Sequence, residues 1–181
     1  MKKKYVIFLV VFIIILVIGS ILIFLKLDQN KNQNNEDYRR LSDLEVISQH
    51  NEYVLAFDKH LAMMDTFAVF KNVESDMYKK HFSLEDGNIE SRFVCWTNDK
   101  LYILNFGAKS YDLDTGKITD ENSSSLFNGT TGRMDRVLGI YDDFIYYQYT
   151  YVADHLNARI SLDLSTIEYI EEKDVPKELY Y

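Results

Sequence analysis

The chain has 181 residues but only one cysteine, one proline and seven glycines. A single thiol excludes an intrachain disulfide and any zinc site built on several cysteines. Cys95 lies in the apolar run Phe93-Val94-Cys95-Trp96, where a thiol acts as a small buried hydrophobe rather than a nucleophile. With Pro176 the only proline and glycine scarce, collagen-like and low-complexity chains are excluded too. Positive charge is also short: beyond Lys26 there are 28 acidic residues against 16 basic ones, a balance of −12. Nucleic acid and anionic lipid headgroups need clustered Lys and Arg, so this balance argues against both as partners.

Catalytic and metal signatures are missing as well. His50, His60, His81 and His155 show neither H-E-x-x-H nor H-x-H spacing, and no G-x-S-x-G occurs. The glycine-containing stretch Phe127–Arg133 lacks the Lys-Ser/Thr of a phosphate-binding loop and reads as a long surface loop. Asp112-x-Asp114 fails as a calcium loop, because Gly116, Lys117 and Ser123 occupy positions that need Asn/Asp, Gly and Glu. Asp114-Thr115-Gly116 resembles the aspartic-protease triplet, but Lys117 follows it and no second triplet exists to share a proton. It is expected to be a hairpin turn, with Gly116 supplying a positive φ and Asp114 bonding local backbone. No catalytic residue, cofactor or metal ligand is assigned.

What the chain does have is Val6–Leu25, 20 residues of which only Gly19 and Ser20 are not Val, Ile, Leu or Phe. A helix of that length spans about 30 Å, the thickness of a bilayer's hydrocarbon core. Its insertion free energy is on the order of −5 to −10 kcal/mol. Lys2, Lys3 and Lys4 precede it, and Leu25-Lys26-Leu27-Asp28 offers no small-residue cleavage site. The expectation is a cytoplasmic tail over 1–4 and an uncleaved transmembrane signal anchor over 5–27. The single-pass protein then holds everything downstream outside the cell membrane. Residues 28–40 are rich in Asn and Gln and read as a flexible polar tether. Together with Lys26 and Leu27 this stretch reaches about 20 Å.

Residues 41–181 carry short apolar runs rich in Tyr, Phe, Val and Ile, which are strand signals. A unit recurs three times: an apolar strand, a polar turn with Asn or Asp, then an aromatic-rich strand. The turns fall at Gln49–Glu52, Thr97–Lys100 and Asp142–Asp143, and the units start 47 and then 44 residues apart. A third strand (Phe67–Lys71, Lys109–Leu113 and Arg159–Leu164) and a fourth complete each unit, and four strands in about 45 residues is the period of a propeller blade. Ser42-Asp43-Leu44-Glu45 fits a capping box, so a helix over Ser42–His50 competes with the first strand.

Over Phe93–Ile118, the sequence FVCWTNDKLYILNFGAKSYDLDTGKI resembles the blades of quinoprotein-like and related β-propellers. Those blades combine a strand, an Asn/Asp turn, an LY-containing strand and an Asp-x-x-Thr-Gly-Lys hairpin. The tryptophan that follows the hairpin in that family is missing here, and three units do not close a propeller. The resemblance therefore implies a blade-like meander and says nothing about a quinone cofactor. The expected fold is all-β: about three antiparallel blade-like meanders in an open stack or sandwich, after an N-terminal transmembrane helix.

These features imply a membrane-anchored extracytoplasmic binding module, an accessory or protective protein of a bacterial cell envelope. Its partner would be a protein, a glycan or a second copy. The expected contact surface is Tyr53, Val54, Phe57, Tyr102, Tyr146 and Tyr147, with the N-terminal edge near Val46–Phe57 left open. Two alternatives stay open: a surface hydrolase of wall polymer or peptide using carboxylates such as Asp142 and Asp143, and an envelope sensor or regulator. Protease treatment of intact cells should remove the folded part and leave a short membrane stub. Protection until lysis would overturn the orientation, and a mature N-terminus after Leu25 would overturn the anchor.

Overall fold

A computed structural model describes residues 38–58, 67–84, 89–105, 107–123 and 133–180. The expected tail, anchor, most of the tether (28–37), His60 and most of the Phe127–Arg133 loop lie outside the described residues. Among the described residues no helix is long and apolar enough to cross a membrane.

Among the described residues, thirteen strands form three antiparallel sheets. The first sheet contains β1 (Tyr38–Arg40), β2 (Leu44–His50), β3 (Tyr53–Asp58), β4 (Phe67–Glu74) and β5 (Met77–Ser83), in the order β1-β5-β4-β3-β2. The second is the meander β6 (Val94–Trp96), β7 (Lys100–Leu104), β8 (Ala108–Asp112) and β9 (Ile118–Asn122). The third is the meander β10 (Arg133–Tyr141), β11 (Phe144–Tyr151), β12 (Asp154–Ser161) and β13 (Ile167–Ile170). Each recurring unit of the sequence is thus one sheet.

Two features differ from the expected layout. The helix over Ser42–His50 does not form; Leu41–Asp43 makes one 3-10 turn and Leu44–His50 pairs with β3 as a strand. Part of the segment read as tether is also strand: Tyr38–Arg40 pairs with Met77–Lys79 of β5. Arg39 explains this, because its Nε donates to Asp58 Oδ2 at 2.8 Å and Asp58 is almost fully buried. A buried carboxylate needs a cation beside it, so β1 is fixed to the first sheet by charge as well as by backbone pairing.

The sheets stack face to face in chain order, a consequence of strand alternation. On β7, Leu101 and Ile103 join Tyr53, Leu55 and Val69 of the first sheet in one core. Tyr102 and Leu104 join Ile145, Tyr147 and Ile160 of the third in another. The middle sheet is therefore buried on both faces. That is why its central strand reads as a continuous apolar run rather than an alternating one. A third cluster, with Val54, Ala56, Ala68 and Phe70, belongs to the opposite face of the first sheet.

The same polar contacts recur at each level. An N–H near the end of the third strand, or just after it, donates to the carbonyl of the first hairpin turn. The pairs are Asn72 to Glu52, Leu113 to Asp99 and Leu162 to Asp143. Between sheets, a side chain on a unit's fourth strand reaches a turn carbonyl of the next unit. His81 of β5 donates to the Leu113 carbonyl, and Asn122 of β9 donates to the Leu164 carbonyl at 2.7 Å. Leu113 and Leu164 are themselves buried in the cores these sheet pairs share.

After β13 the chain, over residues 171–180, makes two short 3-10 turns without joining a sheet. Leu179 lies against Gly139 of β10, which pairs with Tyr146, so this strap lies on the third sheet's outer face at β10. Val175 is buried and Pro176 half-buried. A fully buried Val or Leu contributes about 1.5–3 kcal/mol, whereas ordering the backbone costs about 1–2 kcal/mol per residue. The strap is thus held marginally.

Arg39→Ala should leave the buried Asp58 carboxylate without its guanidinium and cost about 3 kcal/mol. Urea unfolding followed through Trp96, the only tryptophan, would read this as a lower midpoint. An unchanged midpoint would show that β1 is not fixed by that pair.

Candidate functional site

The structure places five of the six expected contact residues in the core. Tyr53, Val54, Tyr102, Tyr146 and Tyr147 are buried, and Phe57 is half-buried against Phe67. Their outward orientation is corrected, for a physical reason. In β3 and β7 both faces of the strand are covered, so an aromatic at either parity packs inward. Tyr146 lies on the outer face of the third sheet, beneath the strap. Burial pushes the Tyr102 hydroxyl up to about 12, with the nearby Asp99 charge adding to it. Burial also raises the Cys95 thiol far above its usual range, which makes it inert.

Four of the exposed apolar side chains, Tyr151, Val152, Leu156 and Tyr169, lie together elsewhere, at the end of the β11–β12 hairpin. Tyr151, Leu156 and Tyr169 share the sheet face that carries Tyr147 and Ile160 deeper in, where the middle sheet covers it. At the hairpin end this cover stops and these three are exposed, Tyr169 by 48%. Tyr169 packs edge-on against Tyr149 at 5.9 Å between ring centres.

Val152 occupies the two-residue turn between the strands, 77% exposed and at φ +61°. The corresponding turn positions in other hairpins are Asn51, Ser75 and Asp142, also at positive φ. Asn and Asp tolerate that region, whereas a β-branched residue there is strained. No turn signal in the sequence marks Val152, and the third strand of this unit was accordingly expected at Arg159–Leu164. It runs instead over Asp154–Ser161.

On the hairpin's other face, Thr150 Oγ1 donates to Asp135 Oδ2 at 2.6 Å, and His155 Nδ1 lies 3.1 Å from the same oxygen. Burial alone would raise the Asp135 carboxyl, but the Thr150 and His155 contacts outweigh it and hold it below the ordinary range. Both partners engage His155 through Nδ1, so Nε2 is not aimed at a hydroxyl as nucleophile activation requires. The cluster ties β10 to the β11–β12 hairpin and fixes its tip.

The remaining candidates serve turns. Asp112, rather than Asp114, is the carboxylate that caps the Asp-Thr-Gly turn, accepting from Thr115 N and Oγ1 at 2.7 Å. The Thr115 hydroxyl and then its backbone N–H hold the Asp112 carboxyl below its usual value. Asp163 is held at about 2 by Ser161 and Ser165 in the equivalent turn of the third sheet. Asp142 and Asp143 form the exposed β10–β11 turn. Among the described residues no group of three His, Cys, Asp or Glu could hold a metal ion. A recess of about 260 Å³ at the end of the second sheet is lined by Asn105, Lys109, Glu121 and Ser123. It is smaller than the roughly 300–1,000 Å³ usual for small-molecule sites.

The architecture is an all-β stack of three antiparallel sheets. No protein-family model, curated protein or solved structure matches this chain.

Gly116 is at φ +68°, and an added Cβ would meet the Phe82 ring at 2.6 Å. Gly116→Val should therefore cost more than about 1 kcal/mol. Asp112→Ala should lower the thermal midpoint, while Asp114→Ala leaves it in place. A thermal melt in which Asp114→Ala is the more damaging of the two would reverse this reading of the turn.

Proposed function

We propose that this chain is a single-pass, membrane-anchored extracytoplasmic interaction module whose contact surface is the β11–β12 hairpin end. The observation that carries this reading is Val152. A large apolar side chain at a hairpin tip loses the benefit of burial. Its left-handed backbone costs a further 1–2 kcal/mol or so in an L-residue. Neither cost stabilises the fold, and backbone strain of this kind concentrates where a surface has another use. Tyr151, Leu156 and Tyr169 beside it supply the amphipathic area that suits a protein or glycan partner. The apolar run Val6–Leu25 and the polar tether support placement at the outer face of a cell membrane, within a short reach of the bilayer.

The reading separates binding from stability. Val152→Gly should stabilise the fold by about 1 kcal/mol, by releasing the left-handed strain, and should weaken partner capture. A photo-crosslinking residue at Val152 in intact cells should give a defined adduct that one at Val73, exposed on the first sheet, does not. Identical adducts from both positions, or undiminished capture by Val152→Gly, would sink the assignment.

A further inference from the structure

Each unit ends on a fourth strand, β5, β9 or β13, whose far side is turned away from the unit. The first of these far sides is occupied. β1 pairs with β5 as an added strand, and its Arg39 bonds a carboxylate of the same sheet, Asp58. A short basic segment added to a fourth strand is thus a contact this fold already makes. The edge of β9 is blunted, since Ile118-Thr119-Asp120-Glu121-Asn122 carries two carboxylates and a register shift interrupts its pairing with β8. The first strands are blunted as well: β2 and β10 carry register shifts, and Trp96 Nε1 of β6 donates to Ser48 of β2 at 2.8 Å.

β13 differs from all of these. It pairs with β12 without a register shift, and among the described residues no strand lies on its other side. Ser161 N donates to the Thr166 carbonyl at 3.0 Å, just before β13 begins. Hydrogen-bonded pairs alternate along an antiparallel ladder, so Glu168 and Ile170 turn their N–H and C=O groups toward β12. Ile167 and Tyr169 turn theirs outward. The side chains of Ile167 and Tyr169 point to the face shared with the middle sheet, with Tyr169 exposed at its rim. Glu168 points to the other face. Its Oε2 takes the bonds from Arg159, with Nε at 2.6 Å, while Oε1 has no partner among the described residues.

We propose that the free edge of β13 is a strand-addition site for an extended basic segment of a partner protein, with the pattern apolar, Arg or Lys, apolar. The outward N–H and C=O groups of Ile167 and Tyr169 hold its backbone. The basic residue lies opposite Glu168 and bonds Oε1, as Arg39 of β1 bonds Asp58. The apolar residues lie beside Ile167 and Tyr169 and cover the exposed ring. The excess of acidic residues beyond Lys26 favours a basic segment over an acidic one. Tyr169 belongs to the hairpin end, so the inference rests on that reading for the place of contact and adds the form of the partner.

The probe is a synthetic peptide, acetyl-Thr-Val-Arg-Val-Thr-amide, titrated into the full-length chain in detergent, and saturable binding is expected. N-methylation of the two valines, whose N–H groups face the edge, should abolish binding. N-methylation of the arginine, whose N–H faces away, should leave it nearly unchanged. Equal effects of the two methylations, or no binding by the parent peptide, would overturn the proposal without any variant having to fold. Tyr169→Pro removes one outward N–H and keeps the bonds to β12, so it should weaken the peptide about tenfold. Glu168→Gln should weaken it too, but should not weaken a peptide with glutamine in place of arginine. Unchanged affinity in both variants would refute strand addition. A Val152 photo-adduct that persists while the peptide fails to bind would keep the hairpin end and reject the edge. No adduct beside normal peptide binding would reject the hairpin end and keep the edge. Co-purification of two differently tagged full chains, lost with Tyr169→Pro, would make a second copy the occupant and overturn the assignment to a partner protein.

Discussion

The structure depends on one repeated contact: a side chain from the fourth strand of a unit donating to the carbonyl beside a buried leucine in the next. His81 to Leu113 and Asn122 to Leu164 are its two instances. A turn between the third and fourth strands would ordinarily be solvated. Here the turn is turned inward so that its leucine fills the core between sheets, which desolvates the carbonyl next to it. A buried carbonyl without a donor costs about 1–3 kcal/mol. The histidine and the asparagine remove that cost, so the apolar and polar parts of the contact are coupled.

That coupling makes the stack behave as a short one-dimensional array, in which each sheet's stability resides largely in its neighbours. The middle sheet is the extreme case. Cys95, Tyr102, Leu104 and Ala108 face one neighbour, and Leu101, Ile103, Tyr111 and Leu113 the other. Its strands are of three and five residues, too short to hold a sheet alone. The two ends must therefore be closed differently. At one end β1 is added and fixed by Arg39 and Asp58; at the other, among the described residues, the strap lies on the outer face.

Much of this fold was legible in the residues, because its turns use residues whose physics is specific. Asn51, Asp99 and Asp142–Asp143 mark the first hairpin of each unit, and all three hairpins form. β1 was not legible: Tyr38-Arg39-Arg40 has no apolar alternation, and its reason for pairing, the buried Asp58, is remote in sequence. The β11–β12 turn escaped as well, since Val152-Ala153 contains none of the residues that favour positive φ. The contact surface was misread for the same reason that the middle sheet is stable. An aromatic strand residue looks like surplus when one face is assumed to be solvated, and becomes core when both faces are covered.

Two positions, Val152 and Asn157, are ones that the fold's own packing does not account for. Val152 could be Gly or Asn with gain to the hairpin, as the turns at Asn51 and Asp142 illustrate. Asn157 could be apolar with gain to the face it lies in, since its amide oxygen has no partner there. Both are on the third sheet, at its hairpin end and on its outer face. The first and middle sheets satisfy their buried polar side chains among the described residues, as Asp58 and Ser110 do. Stability in this chain is thus spread along the stack, while departures from the most stable choice concentrate in its last layer.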